Sequence, residues 1–236
     1  MERTKTGIPG LDELLNGGIP KGSNVLVTGG AGTGKTILTT QYLYEGALKY
    51  GEPGVFVTLE GNIRDIAWNM ESFQWDIKSL QDQGMFTIYK MSMEFASQKE
   101  TLEDRLAEEL KEIEREVKDI NAKRLVIDST TVFGAYLEPS ILRTTLFKLA
   151  DSLKTFGCTT ILTAETQATK NTFSSFGVEE FVVDGVIALY FTPPNRSLFV
   201  RKMRGTQHDA NPHPLTIGGN GISVNPRDNI IWDAIK

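Results

Sequence analysis

The stretch Val25-Leu26-Val27-Thr28-Gly29-Gly30-Ala31-Gly32-Thr33-Gly34-Lys35-Thr36-Ile37 decides how the rest of the chain is read. A short apolar run enters a glycine-rich turn, and the residues at 35–50 that follow have helical character with a stop at Gly51. The order is strand, loop, helix. Residues 29–36 fit G-x-x-x-x-G-K-[ST], and the fit lies between a strand and a helix as its mechanism requires. Glycines let backbone N–H groups converge on phosphates, and a helix N-terminus favours their negative charge. Lys35 then reaches the β and γ phosphates, and the Thr36 hydroxyl ligates magnesium. A purely structural turn needs none of Gly34, Lys35 and Thr36. The stretch therefore predicts binding of a magnesium nucleoside triphosphate, ATP, against Gly30, Ala31, Gly32, Thr33, Gly34, Lys35, Thr36 and Ile37.

Working outward, a β-branched and aromatic run at 55–59 precedes a helix beginning near Arg64, and 86–89 gives a weaker strand. Leu102, Leu106, Leu110, Ile113, Val117 and Ile120 recur at spacings of four and three among Glu, Lys and Arg, which predicts an amphipathic helix with a solvated charged face. Leu125-Val126-Ile127-Asp128 reads as a buried strand, 141–156 as a helix and 159–163 as a further strand. Strands alternating with helices predict a mostly parallel sheet covered on both faces, with ligands beyond the carboxyl ends of its strands. After residues 186–190 the texture changes to short strands and turns, among them Pro193-Pro194-Asn195 and Gly218-Gly219-Asn220-Gly221, so antiparallel hairpins are expected.

The 236 residues suffice for one core, and with no repeat or linker they are read as a single domain, 1–236. The net charge of -5 supplies no global field toward phosphate backbones, so nucleic-acid binding would need a local basic surface. The one cysteine, Cys158, sits in an apolar run and reads as a packed small hydrophobe. No stretch approaches the roughly 18 apolar residues of a membrane span, so a cytoplasmic protein with no membrane partner is expected. His208 and His213 stand without a ligand cluster, which argues against a metal enzyme.

Three further positions carry chemistry, each with two readings. Asp128 closes a strand, where a carboxylate beside the phosphate loop holds the magnesium shell through water, or alternatively caps the next turn. Glu60 closes the run at 55–59 and either orients the attacking water or is a surface carboxylate. In Arg201-Lys202-Met203-Arg204, Lys202 and Arg204 would project from one face of a strand and Arg201 from the other. Such cations are an exposed edge, or an arginine finger offered to a neighbouring subunit's triphosphate.

Along nearly its whole length the chain resembles the KaiC-like branch of the RecA superfamily. Beyond the phosphate loop, the resemblance rests on Thr6-Gly7-Ile8-Pro9-Gly10-Leu11-Asp12, Gly17-Gly18-Ile19-Pro20-Lys21-Gly22 and Val57-Thr58-Leu59-Glu60. Gly177-Val178-Glu179-Glu180-Phe181 with Asp184, and Lys202-Met203-Arg204-Gly205 with His208, extend it. It implies a three-layer P-loop NTPase core of the RecA type and a homo-oligomeric ring, usually a hexamer, with ATP between subunits. It implies Glu60 as catalytic glutamate, and Lys202 and Arg204 as groups reaching the γ-phosphate of the adjacent subunit. Two departures are visible. Gly61 stands where many relatives carry a second glutamate, which implies turnover that is slow or tuned differently. Glu180-Phe181 stands where the two-domain circadian protein KaiC carries its phosphorylated Ser-Thr pair, so clock-type autophosphorylation is not expected.

Two biological readings follow, with a nucleotide-binding assembly protein of little hydrolysis as a third. One is a regulatory ring ATPase acting on an unidentified protein partner. The other is a RadA recombinase paralogue that binds single-stranded DNA in recombination or repair. The latter implies contacts from the loops at 130–139 and 167–177, where Phe133, Tyr136, Phe173 and Phe176 either stack on bases or pack against the core or a neighbouring subunit, and Lys170 is the one basic residue.

Overall fold

A computed structural model describes residues 1–92, 101–166, 173–174 and 176–231, and of Asn69, Leu102, Pro139 and Ser140 the backbone alone. A small antiparallel pair, β1 (Arg3–Thr4) and β2 (Ile19–Pro20), flanks the short helix α1 (Leu11–Leu14). Six strands then run parallel: β3 (Asn24–Gly29), β4 (Gly54–Thr58), β5 (Phe86–Lys90), β6 (Arg124–Asp128), β7 (Thr159–Glu165) and β8 (Gly185–Thr192). β9 (Asn195–Met203), β10 (His213–Gly218) and β11 (Gly221–Val224) add antiparallel, giving the order β11-β10-β9-β8-β3-β7-β6-β4-β5. This is the mostly parallel sheet with antiparallel C-terminal strands that the sequence predicts.

The covering helices are α2 (Lys35–Tyr50), α3 (Ile63–Glu71), α4 (Ile77–Asp82), α5 (Leu102–Asp119), α6 (Phe133–Tyr136), α7 (Pro139–Thr155) and α8 (Glu179–Val182). Strand periodicity explains the two cores. Val25 and Val27 face one layer with Leu38, Tyr42 and Leu43 of α2, whereas Leu26 between them faces the other, with Ile113 and Val117 of α5 and Leu146 and Leu149 of α7. Both faces of β3 are thereby dry, which is why its run reads as continuously apolar.

α5 is amphipathic as expected, and Thr101 with Asp104 closes a capping box at its start. One charged position departs from the solvated face: Glu109 is buried, where it accepts hydrogen bonds from Tyr89 (2.7 Å) and Arg105. α7 begins at Pro139, two residues before the expected 141, since a first-turn proline has no intrahelical N–H to lose. β1, β2 and α4 are too short for a periodicity to announce them.

Arg124 begins β6 with no exposed surface, its Nε donating to Glu52 (2.7 Å) and Nη1 to the Tyr42 carbonyl (2.7 Å). Its guanidinium lies against Gly46 of α2, where an added Cβ would come within 2.3 Å of Nε. Gly46→Ala would gain about 1 kcal/mol of helix propensity. It would overpack a filled core, at about 1–3 kcal/mol, and disturb hydrogen bonds to a charged group worth about 1.5–3 kcal/mol. The clash wins, and the variant's urea midpoint falls. A midpoint equal to or above the parent's would show that Arg124 has room to move.

Candidate active site

The carboxyl ends of β3, β4, β6 and β7 bring the candidate residues together. The turn from β3 to α2 needs Gly34 at φ 104°, a backbone conformation closed to most side chains, and a Cβ there would crowd Ile217 and Ile222 at 3.1 and 3.3 Å. Lys35 opens α2 and is buried, its Nζ donating to the carbonyls of Gly29 (2.8 Å) and Gly30 (3.0 Å) and lying 3.7 Å from Glu165. Burial pushes its ammonium below the usual lysine range, with Glu165, Asp128 and Glu60 pulling the other way. Thr33 is buried too and donates to the Gly30 carbonyl (2.9 Å).

Thr36 Oγ1 donates to Asp128 Oδ2 (2.9 Å), and Thr163 donates to Asp128 Oδ1. A hydroxyl and a carboxylate meeting at the end of the phosphate loop form an all-oxygen donor pair, which suits a hard cation such as Mg2+. Glu60 stands two residues past the end of β4, after the buried Leu59, and is exposed. Burial of its carboxyl is the main cause that lifts it above the usual glutamate range; Glu165 and Asp128 add to the rise and Lys35 opposes it. Because the residue is open to water, solvent screens part of that effect. Ala31, Gly32, Gly34, Lys35, Thr36, Ile37, Glu60 and Asp128 all line one cleft of about 790 Å³. Gly30 lends its carbonyl to both Lys35 and Thr33.

Lys202 and Arg204 lie elsewhere. Met203 pairs with Gly185, whose other neighbour is Val25, so the end of β9 adjoins the start of β3. The phosphate loop begins where β3 ends, about 17 Å away at ~3.3 Å per residue. Lys202 Nζ donates to the carbonyls of Glu180 (3.0 Å) and Val183 (2.7 Å), and burial, then Arg204, push its ammonium below the usual range. The expectation that Lys202 and Arg204 share a strand face is corrected: β9 stops at Met203, and Arg204 stands in the following turn. There its guanidinium is 3.3 Å from Asp184 with 59% of the side chain exposed. His208 contacts the Asp209 carbonyl (2.9 Å).

Two charged lining residues, Glu165 and Arg196, escape the sequence reading. Glu165 closes β7 just as Asp128 closes β6, so the strand-end rule finds it once the strand is carried past Thr163. Arg196 lies on β9, far from any motif. Of the aromatic residues proposed to stack on bases, Phe133 is fully buried, the Phe176 ring lies against Gly134, and Phe173 packs on Phe199. Burial removes Phe133 from any stacking surface. Tyr136 is exposed; Lys170, with the rest of 167–172, falls outside the described residues. Cys158 is buried as expected, its thiol pushed up to about 11 by desolvation. Among the described residues, no helix is long and apolar enough to cross a membrane.

A mostly parallel sheet whose β3–α2 turn carries this loop, with carboxylates at the ends of the neighbouring strands, defines a P-loop ATPase fold of the RecA type. The family model described as "ATPase: KaiC" matches residues 4–229, and the chain belongs to that family. It is 40% identical over 238 residues to a UPF0273 protein of Methanocaldococcus jannaschii, covering 96% of this chain and 97% of that one. It is 38% identical over 229 residues to the circadian clock oscillator protein KaiC of Synechococcus elongatus, covering 95% of this chain and 44% of that protein. The crystal structure of a KaiC-like protein from Pyrococcus horikoshii is similar with a TM-score of 0.85 at 44% identity, over 95% of this chain and 99% of that one.

Proposed function

We propose that the chain, as the single domain 1–236, hydrolyses ATP by in-line attack of water on the γ-phosphate, at sites between subunits of a hexameric ring. The observation that carries this reading is the convergence of Lys35, Thr36, Asp128 and Glu60 on one cleft, with Arg204 at the far end of the same sheet. Glu60 accepts the proton of the attacking water as its oxygen bonds to phosphorus and the β–γ bridge bond breaks to release ADP. Lys35 exchanges the carbonyls of Gly29 and Gly30 for phosphate oxygens. Thr36 and Asp128 would hold Mg2+, which would supply neutralisation of the charge developing on the phosphates. Arg204 is supplied by the adjacent subunit.

Gly61 leaves Glu60 without a carboxylate neighbour in sequence, in keeping with slow turnover. A slow cycle suits regulation better than bulk hydrolysis, and the similar Synechococcus protein is named a clock oscillator. We therefore read the biological output as regulatory, acting in the cytoplasm on a protein partner.

Lys35→Ala tests the binding half of the reading. Two charge-assisted hydrogen bonds at about 1.5–3 kcal/mol each set an expected loss of at least ~100-fold in ATP affinity by calorimetry. Affinity within threefold of the parent would contradict the placement of the triphosphate in this loop.

A further inference from the structure

Arg196 is the one strongly basic side chain of the antiparallel strands that lines the phosphate cleft, and nothing in the mechanism above uses it. On β9 it stands opposite Phe191 of β8 and Leu215 of β10, so its backbone is fixed from both sides. The guanidinium carbon sits 4.1 Å from the centroid of the Phe191 ring, and Nε donates to the Gly32 carbonyl (3.1 Å). A ring-stacked guanidinium has little freedom left, so the donor is aimed before any ligand arrives.

Gly32 needs such a partner. It is exposed at the tip of the phosphate loop with φ 73°, and a Cβ built there would meet nothing within 4 Å, so packing does not hold this corner. The Gly32–Thr33 peptide is trans. In a planar trans peptide the C=O and N–H point in opposite directions, so a carbonyl held by Arg196 leaves the Thr33 amide one orientation. The other side of that peptide is anchored by Thr33 itself, buried and bonded to the Gly30 carbonyl.

We propose that Arg196, stacked on Phe191, is a positioning residue that presets the Gly32–Thr33 peptide of the phosphate loop for a nucleotide. This rests on the reading of that loop as the ATP site. An orientation set in advance lowers the ordering cost of binding, and it acts on the part of the ligand that ADP and ATP share.

Calorimetry with Mg-ADP and with Mg-ATP on the full chain tests it. Arg196→Ala is expected to weaken both nucleotides equally, by about 10- to 30-fold, the scale of one charged hydrogen bond. KM for ATP rises in step, while kcat at saturating ATP moves less than about threefold. Arg196→Lys keeps the charge but loses the stack and the Nε donor, and does not restore affinity. Phe191→Leu frees the guanidinium and weakens both nucleotides equally, by about threefold. A loss confined to ATP would overturn positioning in favour of direct γ-phosphate contact, and unchanged affinities would overturn it altogether. Should Arg196→Ala not fold, Phe191→Leu decides by the same comparison. A parent protein that binds neither nucleotide would sink the ATP reading itself, which is a different result.

Discussion

Glu60→Gln lowers ATP turnover by about 10²- to 10⁴-fold, the range spanned by loss of a positioned general base, and leaves ATP affinity within about threefold. The amide keeps the shape and one acceptor oxygen but cannot take the water's proton, so the loss falls on kcat. The neighbours of Glu60 give the reading a second handle. Burial, Glu165 and Asp128 raise it above the usual glutamate range, and a general base acts in its ionised form. Activity as kcat/KM therefore climbs with rising pH, and its acid limb sits higher than an isolated glutamate would place it. Glu60→Gln abolishes that limb. A variant that turns over ATP at the parental rate would return Glu60 to a surface carboxylate.

The second large effect belongs to Arg204. An arginine finger contributes about 10³- to 10⁵-fold in rate, and Arg204→Ala is expected to lose turnover on that scale with ATP affinity nearly intact. Among the described residues of its own chain the Arg204 guanidinium pairs with Asp184 from a largely exposed position, a contact worth about 0–1 kcal/mol and easily exchanged for a triphosphate. Lys202 is differently placed, because two carbonyls at the end of α8 already hold its ammonium. Its removal disturbs α8 as well as any phosphate contact, so Lys202→Ala is the less informative substitution. Unchanged turnover in Arg204→Ala would leave the exposed edge as the meaning of the basic cluster.

Much of this was legible because the deciding contacts are local in sequence. The phosphate loop announces itself through Gly34, Lys35 and Thr36, and β3 and β6 through apolar runs that are buried on both faces. Asp128 and Glu60 follow from standing just past such runs. Contacts between distant segments leave no such trace. Arg196 meets the Gly32 carbonyl across 164 positions, and no spacing rule links a strand arginine to a loop backbone. Arg124 reads as the charged residue before a strand, and its full burial depends on Gly46 and Glu52 of another layer. Glu165 hides because Thr-Ala-Glu looks like the fading of a strand, whereas pairing with β3 carries β7 to its last residue. Tertiary partners likewise decide the aromatics of the 130–139 segment, since Phe133 faces the layer of α7 and Tyr136 does not.

The central claim is that each catalytic centre draws Glu60 from one subunit and Arg204 from the next, and subunit mixing tests it directly. Glu60→Gln and Arg204→Ala chains, each inactive alone, are co-assembled in equal amounts and assayed for ATP turnover. If Arg204 acts across the interface, about a quarter of the interfaces regain both intact residues at random assembly, and activity returns to roughly that fraction of the parent's. If turnover stays at the level of the separate variants in verified mixed assemblies, the two residues do not meet across a subunit boundary and the account fails.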